Sequence, residues 1–228
     1  MALQRLDPDL RPVATASIAV GVVIGAFGAV FGVTAVAAGG SVLQACAMSA
    51  LVFTGASQFS AVSVVADGGS TAAALSSALL LGARNGVYGL TMARVLDGKL
   101  VRRLGAAQLV IDETTAMATA QTTRREQIAA FWMTGVTLYL CWLLGTLGGA
   151  LIGSEIDPKR WGLDVALPAA FIAMVWPQFR THNGRLAGLI GAVVCLVTIP
   201  FVPVGMSILC AAVAVLVGIR PDPEPEPA

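Results

Sequence analysis

Charge is what the first part of this chain lacks. From Pro12 to Ala66 there is no Asp, Glu, Lys, Arg or His. That length is enough to cross a bilayer twice at about 20 apolar residues per crossing, and a water-facing helix of such length would show a charged face somewhere. Histidine is almost missing: the single His182 lies in a short Arg/Asn-rich turn and gives little support to a Ser-His hydrolase. Cys46, Cys141, Cys195 and Cys210 sit in apolar stretches without CxxC or Cys/His spacing, so they read as small apolar residues and no metal site is expected. HExxH, GxSxG and P-loop patterns are all absent, which excludes the corresponding enzymes and an ATP motor within this chain, and no cofactor is implied. A net charge of +1 offers no electrostatic footing for nucleic acid. What is present is apolar: 57% hydrophobic against 12% charged residues, with a mean hydropathy of +0.82, outside the range of soluble domains. These absences point to an all-α integral membrane protein, multi-pass, in the lipid bilayer of the cell membrane.

Apolar stretches run near Val13–Ala38, Val42–Ala66, Thr71–Val95, Gln127–Gly153, Leu163–Phe179, Leu186–Ile199 and Val204–Ile219, separated mostly by charge or Gly/Pro clusters. They give about six to seven hydrophobic segments in one transmembrane domain over residues 1–219, followed by a polar Pro/Glu tail, 220–228, expected to be disordered. The first stretch is too long for a signal-peptide core. Arg94, Lys99, Arg102, Arg103, Arg124 and Arg125 share one connection, which should therefore be cytoplasmic. The second stretch contains Phe53-Thr54-Gly55-Ala56-Ser57-Gln58-Phe59, a small polar break where lipid would favour plain Leu and Val. It either crosses or is re-entrant; a return places the N-terminal arginines on the cytoplasmic side as well. Gly21, Gly25, Gly28 and Gly32 in the first stretch, and Gly145, Gly149 and Gly153 in the fourth, form ladders that permit close backbone approach. The similar layout of 13–96 and 127–219 suggests an inverted repeat, as in secondary transporters.

Polar groups at membrane depth are tolerated mainly where they face protein, water or a substrate. Thr54, Gly55, Ser57 and Gln58 are the candidates to hold the two ends of a zwitterion, with hydrogen bonding between helices as the structural alternative. Arg84 stands midway along the third stretch, where an arginine costs about 2.5–3.5 kcal/mol on insertion scales. It needs an acid, backbone carbonyls or a ligand carboxylate, and Asn85 extends the polar site. Asp112 and Glu113 interrupt an apolar run and could neutralise Arg84, carry a proton, or simply be cytoplasmic surface charges. Asp164 could cap a helix ahead of Pro168 or couple an ion.

Four ordered motifs, FTGASQF, ARNGVYGL, DETTA and GLDVALPAAFIA, make the chain resemble the AzlC-type proteins, the large subunits of bacterial branched-chain amino acid exporters, from about Val13 to Leu216. The resemblance implies a gradient-driven secondary transporter exporting small apolar amino acids together with a small AzlD-like membrane subunit, and no enzyme. Gly82 and Asn85 stand where that family usually has Asn and His, and Val165 replaces a Phe. The competing readings are a channel or facilitator for small solutes and a scaffold subunit whose partner forms the pathway.

Overall fold

Hydroxyl caps set several of the helix starts in this chain. Ser41, Ser70 and Thr123 each accept a backbone N–H from three residues on, and Gln44 and Glu126 reach back to complete capping boxes. Gly39 and Gly68, at φ +93° and +77°, take the left-handed conformation of the turns that end the first and third helices. The computed structural model describes residues 10–154, 172, 176–202 and 206–219, and among them there is no strand. The helices are α1 Arg11–Ala37, α2 Val42–Leu51, α3 Gly55–Ala66, α4 Thr71–Ala93, α5 Leu100–Gln108, α6 Asp112–Thr119, α7 Arg124–Gly153, α8 His182–Thr198 and α9 Met206–Ala211, with 3-10 turns at Trp176–Arg180 and Ala212–Ile219.

α1 and α7 are long and apolar enough to cross a membrane, and they form the spine. Their glycine ladders interlock: a Cβ on Gly28 would come 2.7 Å from the Trp142 carbonyl, and one on Gly32, Gly145 or Gly149 would overlap the other helix's backbone. Small residues are what allow two helices to pack at this distance where apolar surface alone gives no preference over lipid. Ser17 pairs with Thr134 near the starts of the two helices, and Gly153 meets Val33 near their ends. The two helices therefore run in the same sense. This corrects the inverted repeat: a two-fold axis in the membrane plane would reverse α7 relative to α1.

The second apolar stretch is two helices. α2 starts beside the end of α1, where Gln44 and Ala45 share a groove with Ala35 and Ala38. It ends at Leu51, and the carbonyl of Ala50 beside that end accepts from Tyr139 Oη at 3.0 Å, about halfway along α7. α3 begins against Trp142, and Ala61, Val62 and Val65 bring it back to the groove where α2 started. The pair is a hairpin that enters and returns. A second, shorter hairpin, α5–α6, rises from the opposite end, where Met92, Leu96, Ala106 and Val110 gather. The tips meet: Gln108 Nε2 donates to the carbonyls of Ala50 (2.9 Å) and Leu51 (3.3 Å), which α2 leaves unsatisfied at its C-terminus. The core lies around these tips, with Phe31, Phe59, Phe131 and Leu138 fully buried. The outer surface stays apolar, with Val22, Leu43, Leu79, Leu90, Leu144 and Leu196 all exposed, as a lipid-facing surface requires and a soluble monomer rarely shows. The stretch Leu163–Phe179 lies mostly, and the tail 220–228 wholly, outside the described residues.

Candidate functional site

At the break between α2 and α3 a hydroxyl stands at the cap position and goes unused. Thr54 occupies the cap position of α3 with an extended backbone (φ −153°, ψ 102°), yet its hydroxyl makes no capping bond. The Thr54 Oγ1 is buried and has no partner. The first-turn N–H groups of α3 are consequently left uncapped at the end of a helix that carries partial positive charge. Thr54 and Gly55 line a cavity of about 60 Å³ together with Ile24 and Phe27 of α1 and with Phe53, Phe59 and Trp142.

Arg84, Ile111, Asp112 and Glu113 close the other side of that cavity. Arg84 Nη1 lies 3.3 Å from Asp112 Oδ2, with both side chains about one-third exposed. Its Nε is buried without a partner, so the guanidinium has donor capacity left. Asp112 and Glu113 occupy the first turn of α6, where the helix dipole favours negative charge. The site thus joins an aromatic and aliphatic wall to a rim with a guanidinium and bare amides on one hand and two carboxylates on the other. Such a cavity suits a small molecule with an apolar end and a zwitterionic end. Far from it, exposed Asp97 accepts from Arg124 Nη2 at 2.9 Å, and this bond holds the Asp97 carboxyl below its ordinary pKa.

Of the residues expected from the sequence, Thr54, Gly55, Arg84, Asp112 and Glu113 come together here. Ser57 and Gln58 are fully buried behind the wall instead of on it. Ser57 faces α4, where a Cβ on Gly82 would come 3.3 Å from its Oγ, and that Oγ has no partner. Gln58 Nε2 points to Ser49 Oγ at 3.4 Å, while its Oε1 is unpaired. Asn85 also buries an unpaired Oδ1 and does not line the cavity. Asp164 lies outside the described residues. No group of three His, Cys, Asp or Glu that could hold a metal exists among the described residues. Sequence reasoning missed Trp142 and Ser49. A tryptophan within an apolar run carried a weak signal, since its N–H needs a partner when buried; a lone serine in a membrane helix carried none.

Residues 18–156 match the family described as AzlC protein. The Escherichia coli (strain K12) "Inner membrane protein YgaZ" is 28% identical over 204 residues, covering 82% of this chain and 81% of that protein. An "Uncharacterized membrane protein" of Helicobacter pylori (strain ATCC 700392 / 26695) is 27% identical, over 74% of this chain and 76% of its own. The Bacillus subtilis (strain 168) "Branched-chain amino acid transport protein AzlC" is 26% identical, over 71% and 66% respectively. No solved structure matches.

Proposed function

Because the chain belongs to the AzlC protein family, matched over residues 18–156, we propose that it is the large subunit of a membrane transporter that exports branched-chain or similar small apolar amino acids. It works with a small AzlD-like membrane subunit and draws on an ion or proton gradient. The name of the Bacillus relative supports amino acid transport, and the names of the Escherichia and Helicobacter relatives support the membrane.

The observation that carries this reading is the single cavity joining an uncapped helix start, Arg84 and paired acids to a wall of Phe27, Phe53, Phe59 and Trp142. The substrate carboxylate takes the α3 amides, the Thr54 hydroxyl and the free donors of Arg84, as anions do at helix N-termini. Its ammonium faces Asp112 and Glu113, and its side chain enters the aromatic wall. Paired hairpins with an interrupted backbone at mid-depth are the arrangement in which non-helical chain is tolerated inside a bilayer, because it lines a cavity. The end bearing Arg94, Lys99, Arg102, Arg103, Arg124 and Arg125 is also the end where α1 begins. Positive residues favour the cytoplasmic side, so both α1 and α7 run outward and α2–α3 enters from outside.

Arg84 and two ionised acids together carry one net negative charge. A proton or the substrate ammonium can each neutralise it, and competition between them for the same carboxylates couples export to the proton gradient. The test is efflux of labelled leucine from preloaded cells with and without both subunits. Efflux that requires this chain and collapses with an uncoupler is the expected result. Efflux indifferent to the uncoupler indicates a facilitator, and no efflux of any amino acid rejects the reading.

A further inference from the structure

One cluster behind the cavity is not explained by substrate contact. Ser49 of α2 is fully buried and collects three side chains. Trp142 Nε1 donates to its Oγ at 3.1 Å and Gln58 Nε2 approaches the same oxygen at 3.4 Å. A hydroxyl offers two acceptor positions and one hydrogen. With both acceptor positions taken, the Ser49 hydrogen goes to Thr146 Oγ1, 2.9 Å away. The rest of the indole is clamped by rings: Phe31 stacks on it with centroids 6.0 Å apart, and Phe59 meets it edge-on at 6.2 Å. A Cβ added to Gly55 would lie 3.0 Å from the Trp142 ring. The indole therefore has one position, and its free side is the cavity wall.

We infer that Ser49 is a specificity-determining positioning residue: by fixing the Trp142 indole against Gly55, it sets the largest substrate side chain the cavity accepts. This rests on the exporter reading above. The cavity is small, about 60 Å³, and one face of it is the indole, so the position of that ring limits the side chain that can enter. Gln58 acts in the same way, through Ser49, and not by touching substrate.

The test compares leucine and phenylalanine efflux from preloaded cells carrying the full chain and its small partner, with membrane levels checked. Wild type should export leucine and discriminate strongly against phenylalanine. Ser49→Ala and Trp142→Phe should each lower the leucine-to-phenylalanine ratio about tenfold or more, the scale of size discrimination by an apolar pocket; Ser49→Ala, which does not touch substrate, should largely keep maximal leucine efflux, whereas Trp142→Phe, which alters the wall itself, should also lower it. Ser49→Ala added to Trp142→Phe should change the ratio no further, which a merely structural serine would not produce. Gly55→Ala narrows the same gap and should shift preference from leucine toward alanine and valine. If Ser49→Ala does not reach the membrane, Ser49→Cys, a weaker acceptor of similar size, should give a smaller shift in the same direction. Leucine export with an unchanged ratio in these variants overturns the inference and leaves the exporter reading standing. Absence of amino acid export by wild type overturns both.

Discussion

The α1–α7 interface and the α3–α4 interface are built from similar small and hydroxylated residues, yet they end in opposite states. Between α1 and α7 the glycines allow backbone contact and Ser17 pairs with Thr134, while Thr146 of α7 pairs with Ser49 of α2. Around α3 and α4 Ser77 is paired, but six buried polar atoms have no partner: Thr54 Oγ1, Ser57 Oγ, Gln58 Oε1, Ser60 Oγ, Arg84 Nε and Asn85 Oδ1. An unsatisfied buried polar group costs about 1–3 kcal/mol, so native structures retain few of them and those few call for an explanation. The difference separates an interface closed by backbone contact from a region that keeps polar capacity in hand. For Thr54 and Arg84, which line the cavity, a substrate or water entering it is the natural complement.

The comparison can be broken from its rigid side first. Gly149→Val drives a branched side chain into the backbone of α1 at Ala29. Overpacking that neither backbone can relieve should cost about 3 kcal/mol or more, and little folded protein should be recovered by size-exclusion chromatography in detergent. The open side should respond in the reverse way. Arg84→Ala should leave the fold intact, because Arg84 and Asp112 are partly exposed, while lowering leucine efflux about 100-fold through loss of a charge-assisted contact. Intact efflux in well-folded Arg84→Ala would remove the carboxylate role. Glu113→Gln should retain binding and exchange of leucine but lose sensitivity of efflux to an uncoupler, which preloaded cells report directly. The smallest effect belongs to Asp97→Asn. Its partner Arg124 is exposed and solvent-screened, so neither melting temperature nor efflux should change measurably, and this variant serves as the control for surface charge.

Much of the fold was legible because membrane depth leaves few choices. The uncharged run from Pro12 to Ala66, the two glycine ladders and the caps at Ser41, Ser70 and Thr123 each state their structure locally. An arginine midway along an apolar stretch calls for an acid, backbone carbonyls or a ligand, and the sequence left Asp112-Glu113 open between that role and surface charge; the fold sets Arg84 Nη1 3.3 Å from Asp112 Oδ2. The polar break at Thr54–Gln58 marked the site, but not which of its side chains face it. Thr54 and Gly55 reach the cavity, whereas Ser57 and Gln58 turn toward α4 and Ser49. Three or four positions along a helix decide that division, and they depend on where the neighbouring helices stand.

The sequence by itself determined that the chain is helical and apolar, where its apolar stretches run, and which charged groups could not be left alone. Those properties follow from the short-range needs of backbone amides and ionised side chains in a medium without water. Tertiary structure alone decided that α1 and α7 run in the same sense, that α2 and α3 fold back as a hairpin, and that Trp142 lines the same cavity as Arg84 with Ser49 holding its indole. Helix direction and sidedness arise from contacts between residues about 100 positions apart, such as Ser17 with Thr134 and Ser49 with Thr146. A hydropathy pattern is blind to both, because it is the same read inward or outward.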